Sequence, residues 1–146
     1  PLNGGIVRIF NTYGPRMRPD DGRVVPELCI QALTGKPLTL HGDGMQTRSF
    51  CFVTDLVDGI IRLFESQVTE PVNIGNPVER TVLEFAEMVK KLSGSKSELQ
   101  YLPGRTDDPK RRCPDITRAR TLLGWSPKVD LEEGLKASID YFRKHM

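Results

Sequence analysis

Three consecutive cations, Lys110, Arg111 and Arg112, follow the acids Asp107 and Asp108 and precede a Pro114-Asp115 helix start. Guanidinium groups are planar, permanently charged forks that take phosphate oxygens two at a time. A cation cluster on a loop beside a helix start therefore suits a diphosphate, although the same stretch also reads as a solvated charged loop. Other segments offer related chemistry. Asn11-Thr12-Tyr13-Gly14-Pro15 ends a β-rich run, and strand ends of open α/β sheets are where ligands sit. Asn11 can donate and accept at once, as a sugar phosphate requires; the alternative is a plain polar turn. Gly42-Asp43-Gly44 leads to Arg48, which either reaches a phosphate or lies exposed on an ordinary connection. Arg16, Arg18 and Arg23 flank Asp20-Asp21, as a locally ion-paired loop or as a lid over an anion.

Other chemistries find little support. Cys29, Cys51 and Cys113 are odd in number and scattered, so they form no disulfide framework, and a reducing compartment is expected. His41 and His145 are isolated from each other, and nothing has zinc-ligand spacing. No serine, cysteine or histidine constellation suggests covalent catalysis. A formal net charge of only +2 argues against a nucleic-acid binder. No apolar run is long enough to cross a bilayer, and no secretory signal is visible.

The elements that must position these groups alternate. Strands are expected over 6–10, 37–41, 49–53, 71–74 and 98–102. Helices are expected from Val25 to Leu33, closed by Gly35; after a Thr54 or Asp55 N-cap, with Val57, Ile60, Ile61 and Phe64 on the inward face; and after a Thr81 cap with Glu84 at capping-box spacing. Two more follow over 116–123 and 131–142. The order predicts an α/β fold with parallel pairing. A lone first strand lacks neighbours, so the chain reads as the C-terminal portion of a larger α/β protein.

The motifs NTYGPRM, DGRVV, GKPLTLHGDGMQTRSF, TDLVDGI, PVNIGNP and DDPKRRCPDITRARTLLGWSP, in that order, resemble the C-terminal half of extended short-chain dehydrogenase/reductases acting on nucleotide sugars. Within that group the chain is most similar to the UDP-glucuronate decarboxylases. The resemblance spans nearly the whole chain. It implies the last strands of a Rossmann-type parallel sheet plus the small α/β substrate-binding domain over residues 1–146, with the N-terminal Rossmann half absent. It implies NAD as cofactor, held mainly by that half, and a UDP-sugar as substrate. C4 of UDP-glucuronate is oxidised to a ketone, the β-keto acid loses carbon dioxide, and return of the hydride gives UDP-xylose.

By the same resemblance, Asn11 contacts the sugar-phosphate region and Thr12 lies beside the cofactor. Arg23 lies near the diphosphate and cofactor. Thr39 and Leu40 meet the uracil ring largely through backbone, Arg48 binds phosphate, and Arg112 lies near the sugar and assists decarboxylation. Cys113 departs from the basic residue expected there and carries no role. No Tyr-x-x-x-Lys occurs: Tyr13, Tyr101 and Tyr141 are followed four positions later by Met17, Arg105 and His145. The piece is thus expected to be inactive alone. A homodimer is implied for the full enzyme, with a cytoplasmic location, or the Golgi lumen if an anchor precedes. The alternatives are a piece of a dTDP-glucose 4,6-dehydratase or UDP-sugar 4-epimerase, and a non-catalytic UDP-sugar binding module.

Overall fold

The computed structural model describes residues 4–106 and 108–146, so Asp107 of the acid pair lies outside the described residues. In chain order, β1 (Ile6–Ile9) and β2 (Thr12–Tyr13) lead to α1 (Val24–Thr34). Then come β3 (Leu38–His41), β4 (Thr47–Ser49), β5 (Cys51–Phe52) and α2 (Val53–Glu65). The chain continues through β6 (Pro71–Ile74), β7 (Glu79–Thr81), α3 (Val82–Ser93), β8 (Leu99–Leu102), β9 (Arg111–Arg112), α4 (Thr117–Leu123) and α5 (Leu131–His145).

The fold is α/β, as expected. β1 pairs with β6, β2 with β5, β3 with β8 and β4 with β9, all in parallel, while β4 and β7 are antiparallel. Two apolar clusters hold these ribbons. In the first, α1, α3 and α5 enclose β3, with Leu28, Leu38, Leu40, Phe85, Val89, Leu135 and Phe142 nearly or fully buried. In the second, α2 and α4 cover β6, burying Leu56, Leu63, Val72, Ile74 and Trp125. The α3 start follows the sequence reading. Glu84 N–H donates to Thr81 Oγ1 and Thr81 N–H to Glu84 Oε2, both at 3.0 Å, a reciprocal cap that satisfies two orphan donors.

The start of α2 differs from expectation. Its N-cap is Phe52, without a side-chain cap. Asp55 is buried instead, and its Oδ2 accepts from the Lys128 and Val129 N–H groups, both at 2.9 Å. The Asp55 carbonyl accepts from the Trp125 indole at 3.0 Å. The expected inward face is also rotated: Leu56, Gly59 and Leu63 face the core, whereas Val57, Ile61 and Phe64 are exposed, Phe64 by 87%. Ile6 and Ile9 of β1 are likewise exposed. The expected strand over 49–53 is two short strands interrupted at Phe50, with Val53 already helical. The Asn11–Pro15 turn contains β2, whose Tyr13 is core rather than turn. Among the described residues, no helix is long and apolar enough to cross a membrane.

Candidate functional site

The site begins with strand alternation. Side chains on a strand point alternately to opposite faces, so opposed residues share a face. In the β7-β4-β9 ribbon, Arg48 lies opposite Arg112 on one side and Arg80 on the other. Thr47, Glu79 and Arg111 occupy the reverse face. There the Arg111 guanidinium forks onto the Glu79 carboxylate at 2.6 and 2.9 Å, and Thr47 Oγ1 donates to it at 2.7 Å. Arg111, followed by Thr47, holds the Glu79 carboxyl below its ordinary range. Of the Arg111-Arg112 pair, the first cation is thus a sheet brace and the second faces the cleft.

Asn11, Thr12, Arg23, Thr39, Arg48 and Arg112 line one cavity of about 310 Å³, at the lower end of the sizes of ligand sites. Arg48 is buried at 9% exposure. Its Nη1 donates to the Thr47 and Pro109 carbonyls at 2.7 Å each, and its Nη2 pairs with Asp108. Side-by-side like charges repel, and Asp108 offsets this for Arg48. Arg112 is exposed and has no ion pair among the described residues. An anion entering this cavity meets one fixed cation and one adaptable one.

Arg23 stands at the N-cap of α1, where its guanidinium and backbone N–H are both turned to Asp21 at 2.7 and 2.9 Å. Arg18 pairs with Asp20, so this loop is locally ion-paired, with Arg23 also on the cavity wall. Thr12 Oγ1 donates to the Phe10 carbonyl at 2.9 Å.

The other end of the cavity is a strand edge. Leu38 N–H donates to the Glu98 carbonyl and Gly42 N–H to the Leu102 carbonyl, so the even-numbered residues of β3 face β8. Thr39 and His41 therefore turn their backbone groups outward. Thr39 N–H is taken by Gln31 Oε1 at 2.9 Å and the His41 carbonyl by Gln46 Nε2 at 2.9 Å. Among the described residues, no protein partner meets the Thr39 carbonyl or the His41 N–H. Leu40 is fully buried and does not line the cavity, and its backbone faces β8. Of the expected pair Thr39 and Leu40, the structure thus places Thr39 on the cavity wall, with His41 rather than Leu40 beside it.

Sequence reasoning missed Glu27 and Arg105, which also line the cavity. A signal existed for Glu27: it lies four residues before Gln31, and both reach Thr39. The cysteines are not poised as nucleophiles. Burial pushes the Cys29 and Cys51 thiols up to about 12, and burial followed by the Glu79 charge raises that of Cys113.

A profile of the NAD dependent epimerase/dehydratase family matches residues 2–75. UDP-glucuronic acid decarboxylase 1 of Danio rerio is 52% identical over 141 residues, which are 97% of this chain and 34% of that protein. UDP-glucuronic acid decarboxylase 5 of Arabidopsis thaliana is 54% identical over 138 residues, 94% of this chain and 40% of that protein. The chain thus spans between a third and two fifths of these relatives. Among solved structures, the UDP-glucuronic acid 4-epimerase of Bacillus cereus in complex with UDP-glucuronic acid and NAD superposes with a TM-score of 0.92 at 36% identity, over 99% of this chain and 46% of that one. The UDP-glucose 4-epimerase of Thermotoga maritima with UDP-glucose gives 0.93 at 36% identity, over 97% and 46%. The half-matching profile, the ordered motifs and the superposable fold converge: this chain belongs to the NAD dependent epimerase/dehydratase family.

Proposed function

We propose that residues 1–146 are the nucleotide-sugar-binding portion of an NAD-dependent UDP-glucuronate decarboxylase, which forms UDP-xylose and carbon dioxide. The observation that carries this reading is the in-register Arg48–Arg112 pair, which shares one cavity with Asn11 and Arg23. UDP-glucuronate presents two anionic groups, a diphosphate and a sugar carboxylate, and two adjacent cations answer them. The fixed Arg48 fork grips the diphosphate, with Arg23 and Asn11 beside it. The adaptable Arg112 lies at the sugar and steadies the carboxylate before the bond to C5 breaks. NAD, when bound, supplies the hydride acceptor that makes C4 a ketone, the electron sink for that step. Thr12 and Arg23 would touch NAD only at its margin, because no glycine-rich strand-turn-helix occurs among these residues.

The proton-transferring Tyr-x-x-x-Lys pair and the main NAD contacts belong, in this reading, to a further segment, which would also build the homodimer. Support comes from the share of the relatives that the chain spans and from the exposed apolar residues of β1 and α2. The location is that of the whole enzyme, for which we keep the cytoplasm.

The test is the product of the complete reading frame incubated with UDP-glucuronate and NAD. Release of carbon dioxide with UDP-xylose is expected. A C4-inverted UDP-uronate without carbon dioxide would place the protein with the 4-epimerases, a reading that the superposition on the Bacillus cereus enzyme favours. The 146-residue chain alone is expected to bind UDP weakly or not at all; tight binding would favour a stand-alone sugar-nucleotide module.

A further inference from the structure

Most arginines of the chain are answered by a carboxylate, but among the described residues Arg80 of β7 and Arg120 of α4 are not. Both line a second cavity, of about 390 Å³, with Lys128 of the α4–α5 connection, which also has no ion pair among the described residues. The nearest acids along the chain are engaged elsewhere. Glu79 is held by Arg111 and Thr47. Asp115 Oδ1 accepts from the Thr117 hydroxyl and N–H at 2.6 and 2.8 Å. Asp130, itself on the cavity wall, accepts from the Glu132 N–H at 2.8 Å. Asp55 takes the Lys128 backbone N–H.

Solvated surface cations need no ligand, yet these three come from separately anchored elements. The β4–β7 register places Arg80. Arg62 Nη1 donates to the Leu123 and Gly124 carbonyls and ties down the end of α4, and the Asp55 clasp fixes the backbone of Lys128. Like charges gathered on one cavity repel, and its apolar wall, with Phe50, Val78 and Leu131, focuses their field. We propose that Arg80, Arg120 and Lys128 form a second anion site, which takes the phosphate chain of a small polyphosphate. Two guanidinium forks and an ammonium offer donors to the oxygens of linked phosphoryl groups. The wall shares only Phe50 with the first cavity and includes none of the exposed apolar residues of β1 and α2. A ligand here leaves both of those surfaces free.

The experiment uses the complete reading-frame product, saturated with UDP and NAD and titrated calorimetrically with inorganic tripolyphosphate at low salt. A Kd on the order of 10–100 μM is expected. The Arg80→Ala/Arg120→Ala double variant should weaken it by at least about 10-fold, keep UDP within about twofold and leave the thermal midpoint no lower. Lys90→Ala/Lys91→Ala, in the last turn of α3, removes equal charge from another helix and should change it by less than about twofold. No saturable binding by the wild type, or an equal loss in the two double variants, overturns the proposal. ATP titrated in parallel separates two sources of the same chemistry. Affinity equal to that of tripolyphosphate assigns the site to the phosphate chain alone, and tighter binding assigns it to a nucleoside polyphosphate; both support the site. Failure to bind UDP would instead sink the sugar-nucleotide reading of the first cavity, and the two double variants would then decide the second site without UDP.

Discussion

Replacing Arg48 and Arg112 by alanine, one at a time, separates two jobs that look alike in the sequence. Arg48 is buried and holds Asp108 and two backbone carbonyls, whereas Arg112 is exposed in the cavity. Removing Arg48 strands a carboxylate and two carbonyls. Breaking a fully buried pair costs about 3–5 kcal/mol, and the partial exposure of Asp108, 33% at the side chain, discounts this to roughly 2–3 kcal/mol. Arg48→Ala should therefore lower the thermal midpoint by roughly 6–10 °C and weaken UDP by about 10-fold or more. Arg112→Ala leaves no internal partner stranded among the described residues, so the midpoint should stay within about 2 °C. Loss of the charge-assisted contact proposed at the sugar, about 1.5–3 kcal/mol, should slow carbon dioxide release by about 10- to 150-fold while UDP affinity moves less. The assays are calorimetric titration with UDP, a carbon dioxide-release assay on UDP-glucuronate and thermal denaturation, all on the complete reading-frame product. Equal thermal losses in the two variants would refute the division of labour. So would an Arg112→Ala enzyme with unchanged turnover and weakened UDP binding.

Two further predictions concern stability. Asp55→Ala removes the acceptor of two backbone N–H groups and should cost about 3 kcal/mol, whereas Asp55→Asn keeps an acceptor and should cost about 1 kcal/mol. Denaturant melts that rank the two equally would contradict the clasp. Burial raises the Cys29 and Cys51 thiols from an ordinary 9.0 to about 12. The folded state thus disfavours their thiolates: this contribution is complete below pH 9 and is lost as pH climbs toward 12, at about 1.4 kcal/mol per pH unit for each thiol. Cys29→Ala should flatten that alkaline slope in pH-dependent melts, and an unchanged slope would show that the thiol is not the cause.

The sequence revealed most where partners are close along the chain. The α3 cap was legible because Thr81 and Glu84 satisfy each other within one turn. The start of α2 was misread because Asp55 looks like a cap, while its partners, Lys128 and Val129, lie 73 and 74 residues away. β7 and β9 carry Glu-Arg-Thr and Arg-Arg, with no apolar alternation to mark a strand. Arg48 and Arg112 could be named from motif order, but their adjacency depends on the β4–β9 register. The strand-edge end of the cavity was least legible. It consists of a backbone edge, whose composition carries no signal, and of a Glu27–Arg105 contact that only the tertiary fold creates.

The Asp55 clasp also bears on how the protein is made. Ribosomes add about 5–20 residues per second, so the 73 residues from Asp55 to Lys128 take roughly 4–15 s to appear. During that interval the newborn second helix carries a carboxylate with nothing to answer it and an oily flank without Trp125. Final closure of this flank must await the synthesis of residues 125–129, and a chain cut short before them would be left open to chaperones and proteases.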